Sequence, residues 1–371
     1  MITLLFATFA LVAFMEKASV DLLVDQRDVL TKRLRMEAYS ALEVTLGVLE
    51  DFRDVGQGLH SPAEGWNDPL TFAGYTPSEG RAVEITFEDE SGKISLPHAN
   101  ERTLTNLFLN WNLPKADAEA LTDALFGWMK REHVYTTSVH PNYDTGLIPY
   151  EPPGRPLRSL NELAAIDKVR EIFYDSDGRP NELWKRFADS VSLFDFARPN
   201  INGAKPDTLA ALGEFDPSQQ QNLGDYLTGG GNYQRNGPGF FRSPTDAQAI
   251  AGPTGNSAAF GTTISALRII VTVHEGRSQF RMATVIAPPS GATTVQATAT
   301  STRQQASAKS ALTASQQQNR PDATQAKQPP PTSANSNQQK AGAARNLRYP
   351  FTLLEIREND EIAGASVPPP S

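Results

Sequence analysis

The chain has 371 residues, a formal net charge of -8 and 39% hydrophobic residues, enough to bury a core and to divide into more than one lobe. The acidic balance argues against a nucleic-acid partner, because phosphate binding is carried by Lys and Arg. The chain has no cysteine, which excludes disulfides, thiolate metal sites and a cysteine nucleophile.

Residues 1–15 (MITLLFATFALVAFM) are apolar apart from threonines, and Glu16 and Lys17 then turn the composition charged. Neither proline nor glycine occurs before Gly47, while Val20, Leu23, Leu30, Leu34, Ala38, Ala41, Val48 and Phe52 recur at near-helical spacing. The pattern predicts one continuous helix over 1–52, roughly 75–80 Å long, with a greasy end and an amphipathic stem. The apolar run is shorter than the ~20 residues of a bilayer span, so it is either interfacial or part of a longer hydrophobic helix. A cleaved signal peptide and a buried core helix are the competing readings. A retained anchor is preferred because no basic leader or small-x-small site is evident and the helical phase runs unbroken through Glu16 and Lys17.

Residues 56–80 are rich in Gly, Pro, Ser and Asn and read as a long loop holding Trp66, Phe72 and Tyr75. Alternation over 83–87 predicts a half-buried strand, and Asp89-Glu90-Ser91-Gly92 a turn into 93–96. From Asn100 to about Leu227 the pattern is helical. Leu104, Leu107, Phe108 and Trp111 share a face of 102–111, and Ala118, Leu121, Leu125 and Trp128 a face of 115–130, with a connector short enough for a helical hairpin. A proline-rich traverse over 140–156 follows, with Tyr143, Leu147 and Tyr150 available to pin it. Further helices are expected at 159–173, opened by Ser159 and Glu162 at capping-box spacing, at 181–190, and last at 206–212. Asn202, in the turn before that helix, is expected to close a local hydrogen bond.

Residues 229–261 read as glycine-rich loop, and 264–272 with 280–286 as a β-hairpin. Residues 291–345 are Gln, Ala, Ser, Thr and Pro with almost no large apolar side chain, a composition too poor in burial to offset ordering entropy, so disorder is expected. A strand pattern returns over 347–356.

No catalytic set emerges. His133 and His140 lack the i, i+4 spacing of a zinc helix and are expected to be exposed. Asp175-Ser176-Asp177-Gly178 places its glycine too early for an EF-hand and reads as a polar turn. Gly229-Gly230-Gly231 lacks the Lys-Ser/Thr of a phosphate loop and reads as a hinge, and Asp89 and Glu90 read as solvated turn carboxylates.

The segments GKISLPHANERTLTNLF, ALTDALFGWMK, YDTGLIPYEPPGRPLRSLNELAAI and RPNINGAKPDTLAAL, in this order, resemble the framework of the K-type minor pseudopilins of type II secretion systems. The family's motifs fall on 93–96, 127–130, 150–163 and 200–212. The resemblance implies an α+β fold: a long N-terminal membrane-anchored helix, a pseudopilin-type antiparallel sheet and a large inserted all-helical domain. The division would be anchor and stem 1–55, start of the α/β domain 56–92, helical insert 93–228, hairpin 229–290, disordered insertion 291–345, returning strand 346–358 and flexible tail 359–371. It further implies a non-enzymatic role at the tip of the pseudopilus, in the inner membrane as a single-pass protein with a periplasmic head. Other minor pseudopilins, of the I and J types, would be its partners, met by Leu23, Leu30, Leu34, Ala41 and Val48 on the stem. The family binds calcium in the insert. Here Gly127 and Lys130 stand where acidic residues are usual, and an ammonium in place of a carboxylate works against a cation, so no cofactor is assigned. The alternatives are a membrane-tethered periplasmic ligand- or polysaccharide-binding module, and a periplasmic hydrolase.

Overall fold

The computed structural model describes residues 2–137, 143, 150–295 and 350–359; along the first helix, side chains are described at 14–18, 21 and from 27 onward. His140, Leu147, the bulk of the 291–345 insertion and the tail from 360 lie outside the described residues.

Helix α1 runs unbroken over Ile2–Gly56. It stops where Gln57 takes a positive φ of 57° and Gly58 one of 153°, with the Gly58 N–H closing on the Arg53 carbonyl at 3.0 Å. Among the described residues no helix is long and apolar enough to cross a membrane. From Leu34 onward the apolar stripe is buried: Leu34, Ala38, Ala41, Leu42, Leu46 and Leu49 pack on the face of a sheet. Each fully buried Leu contributes roughly 1.5–3 kcal/mol. The exposed Arg35–Glu358 pair at 2.9 Å adds under about 1 kcal/mol, so packing decides the docking of α1.

A loop with the short helix α2 (Pro69–Phe72) leads to strand β1 (Arg81–Asp89). Trp66 is fully buried against Phe87, whereas Phe72 lies mostly in solvent and touches only the edge of the core at Phe52. The short strand β2 (Ile94–Ser95) does not return to β1. It pairs in parallel with β3 (Val191–Ser192), so the turn after β1 sends the chain away from the sheet.

Between β2 and β3 stand α3 (Glu101–Asn110), α4 (Lys115–Met129), α5 (Asp167–Phe173) and α6 (Glu182–Ser190). Their shared core centres on Phe108, Phe126, Phe173 and Phe187. Asn100 and Asn181 cap α3 and α6 through their side chains. The helix expected over 159–173 is instead a 3₁₀ turn, Leu160–Ala165, followed by α5, with Ile166 extended between them. Glu162 does not close a capping box with Ser159, because its carboxylate is taken by the Arg158 N–H, Arg155 and the Trp128 indole.

Helix α7 (Pro206–Gly213) is not the last. Among the described residues two more follow, α8 (Pro217–Thr228) and α9 (Pro244–Ala251), each opened by a proline and a capping box, Asp216 with Gln219 and Ser243 with Asp246. These three helices close on their own core of Ile201, Leu209, Phe215, Leu223, Phe241 and Phe260.

The chain then forms β4 (Leu267–Glu275) and β5 (Ser278–Ala287), and later β6 (Thr352–Glu358). The hairpin turn has its positive φ on Gly276 alone, the first central position, as a II′ turn requires. The sheet is antiparallel in the order β1-β4-β5-β6, with Ile85 opposite Val271, Val271 opposite Met282 and Met282 opposite Glu358. This row faces α1. The fold is thus a mixed helical and antiparallel-sheet one, with the helices α3–α9 entered and left through the sheet.

Candidate functional site

Four of the five stem residues expected to meet partners can be placed. Leu34, Ala41 and Val48 are buried against the chain's own sheet, and Leu30 is half-buried at the margin of the same core. The side chain of Leu23 lies outside the described residues. On a different face of the helix, one heptad apart, Val29 is 47% and Met36 72% exposed. The stripe that periodicity picks out is therefore occupied within the molecule from Leu34 onward, and open apolar surface on the stem lies elsewhere.

Beside that packing, a buried carboxylate that the sequence pattern did not single out ties α1 to the following loop and to β1. Glu37 accepts from the Tyr75 hydroxyl at 2.5 Å, the Ser78 hydroxyl at 2.6 Å and the Arg81 guanidinium at 2.9 Å, and Arg81 also reaches Glu275 at 2.8 Å. Burial alone would raise the Glu37 carboxyl, but the donors from Ser78, Tyr75 and Arg81 outweigh it and bring it down to about 2. Burial, and then the bond to Glu37, push the Tyr75 phenol up to about 12.

A second polar cluster sits where β1 ends and the helical part begins, and it overturns the reading of Asp89 and Glu90 as solvated. The Asp89 carboxylate accepts from the Asn200 amide and the Ser91 hydroxyl, both at 2.6 Å. Burial, the largest influence, pushes it up to about 7 against the pull of those donors. Glu90 is 3% exposed and bridges Lys93 at 3.1 Å and Arg268 at 3.0 Å. Asn202 makes the local bond expected of it, its amide nitrogen donating to the Asn200 side-chain oxygen at 3.3 Å, and reaches further as well. The same nitrogen donates to the carbonyls of Phe241 and Thr262, its oxygen accepts from the Phe241 N–H, and the Asn200 oxygen also accepts from the Asn202 N–H. The two turns approach so closely that a Cβ on Gly92 would collide with the Gly203 carbonyl, and one on Gly203 with the Asp89 side chain.

In the helical part, His133 is not exposed. Its side chain is 5% exposed, stacks on Phe126 and meets Asp123 through Nε2 at 2.6 Å. Asp123 also accepts from the Thr136 and Thr137 N–H groups at 2.8 and 2.7 Å, so the segment after α4 is folded back onto that helix. Gly127 lies under the Tyr135 ring, where a Cβ would collide, and Lys130 sits 4.1 Å from the centre of the Phe126 ring. Among the described residues no group of three or more His, Cys, Asp or Glu is arranged to hold a metal ion.

Residues 87–176, from the end of β1 through α5, match the family model described as type II secretion system (T2SS), protein K. Over these residues the chain is similar to the type II secretion system protein K family. The protein K match contains both Asp89 and the Asp123–His133 pair, and its core is the aromatic cluster of α3, α4 and α5. Among solved structures, a chain of the GspK-GspI-GspJ complex from the type 2 secretion system of enterotoxigenic Escherichia coli is similar at 12% identity and a TM-score of 0.48, over 71% of this chain and 94% of that one. No curated protein matches the sequence.

Proposed function

We propose that the chain acts as a non-enzymatic minor pseudopilin at the tip of the type II secretion pseudopilus, held in the inner membrane by the start of α1 and assembling with I- and J-type minor pseudopilins. The observation that carries the reading is the protein K match over 87–176, in a chain that opens with a 55-residue unbroken helix. The helical part from α3 to α9 would be the insert that covers the fibre end, with the sheet and the docked half of α1 as its base. Because Phe215, Phe241 and Phe260 share one core with α7–α9, the insert is drawn to extend to about residue 260.

The stem would meet its neighbours through the part of α1 not used by the head. Leu34, Ala41 and Val48 serve the head, so lateral contact is assigned to Leu23 and Leu30 together with the exposed Val29 and Met36. The Glu37–Arg81 lock keeps the head at a fixed height on the stem, so that stem packing sets where the head sits. Deleting the gene from a secreting cell tests this. Secretion is expected to stop, to return with the intact chain and not with Leu23→Asp/Val29→Asp; secretion that continues in the deletion strain contradicts it.

A further inference from the structure

We infer that the outward face of α3 is a docking groove for an extended polypeptide segment, read through its backbone by the carboxamides of Asn106 and Asn110. This goes beyond the assembly role and does not rest on it.

Two clefts adjoin on this helix. One, of about 400 Å³, is lined by Arg102, Asn106, Asn110, Ala210, Glu214 and Phe215. The other, of about 250 Å³, shares Arg102 and Asn106 and continues past Glu119 to Thr136. They flank α3, the first toward α7 and the second toward α4, and Arg102, Asn106 and Asn110 all line the first. The Arg102–Glu214 pair that crosses the first is exposed on both sides, and such a pair is worth under about 1 kcal/mol, so an entering ligand displaces it at little cost.

Asn106 is half-buried and Asn110 exposed, and neither side chain makes a hydrogen bond among the described residues. Asparagine is a poor helix former, so two of them at i, i+4 on one face, both unbonded, are not explained by helix stability. A carboxamide offers the same acceptor and donor pair as a peptide group. Rows at i, i+4 rise by about 6 Å, and alternate residues of an extended chain advance by about 6.6–6.8 Å. Arg102, Asn106 and Asn110 can therefore track three alternate peptide groups with a drift under about 2 Å. Glu101, Glu119 and Glu214 on the rim outnumber Arg102, which favours a segment carrying Lys or Arg. Phe215 is 3% exposed, so the groove offers no open ring for a sugar to stack on, and a peptide fits it better than an oligosaccharide.

The test uses the full chain in detergent micelles and a fluorescent, capped Lys-Thr-Lys-Thr-Lys-Thr peptide, followed by anisotropy. Saturable binding is expected, weakened about tenfold by Asn106→Ala/Asn110→Ala, as loss of two neutral hydrogen bonds implies. The same peptide N-methylated at alternate residues is expected to bind at least as poorly. No saturable binding of the parent peptide overturns the inference. So does equal binding of the N-methylated peptide or by the double variant, which would mean charge attraction alone, and so does displacement of the peptide by chitotetraose at equal concentration.

Discussion

Asp89 and Asn200, 111 residues apart in sequence, meet at 2.6 Å, and the same Asn200 nitrogen also reaches the His60 carbonyl at 3.0 Å. One amide thus ties together the end of β1, the loop after the stem and the turn before α7. A deprotonated Asp89 would be a buried charge with hydrogen-bond donors around it, while the nearby Lys93 is already engaged by Glu88 and Glu90.

The sign of the resulting pH dependence follows. Asp89 is raised from 3.8 to about 7 in the folded chain, so the native state holds the extra proton between those values. Stability should be full below about pH 4 for this group and fall as pH rises to 7, by up to about 4 kcal/mol. Asp89→Asn is expected to remove this slope. Urea midpoints of both proteins at pH 5 and 8 check it, and the same pH dependence in both contradicts it.

Glu37 works in the opposite direction. Its folded value of about 2 lies below the ordinary 4.5, so its contribution is present above pH 4.5 and lost as pH falls through 2. Glu37→Gln should therefore be less stable than the native chain at pH 7, with the gap closing toward pH 2. Glu37→Ala at neutral pH leaves Tyr75, Ser78 and Arg81 without their acceptor and should cost roughly 2–4 kcal/mol in chemical denaturation.

Two glycines separate packing from propensity. Gly92→Ala would drive a Cβ into the Gly203 backbone and should destabilise by roughly 1–3 kcal/mol. Gly47, on α1 with nothing within 4 Å of a built Cβ, should gain about 0.5–1 kcal/mol on substitution by alanine. Thermal unfolding of the two single variants measures both.

What could be read from the sequence was what local pattern encodes. The length of α1, the hairpin of β4 and β5, the helix at 181–190 and the return of β6 all follow from periodicity or turn residues within a short window. Helices α8 and α9 escaped because their interiors are Gln-, Asn- and Ala-rich with few large apolar residues, although Asp216-Pro217 and Ser243-Pro244 were visible start signals. Asp89, Glu90 and His133 were misread because their burial comes from partners far along the chain or across a loop, namely Asn200, Arg268 and Asp123. The stem stripe was legible as apolar, but periodicity does not say which surface covers it; the sheet takes Leu34, Ala41 and Val48.

The central claim is that this head is carried among neighbouring stems by the free part of α1. Because the chain has no cysteine, a single cysteine can be placed on a clean background. Leu23→Cys and Val29→Cys, treated with a short bifunctional maleimide in cells expressing I- and J-type pseudopilins with matching stem cysteines, should each give a crosslinked heterodimer, while Glu84→Cys on the exposed face of β1 should give none. Absence of any crosslink at 23 and 29, with the protein present in the membrane, would contradict the account.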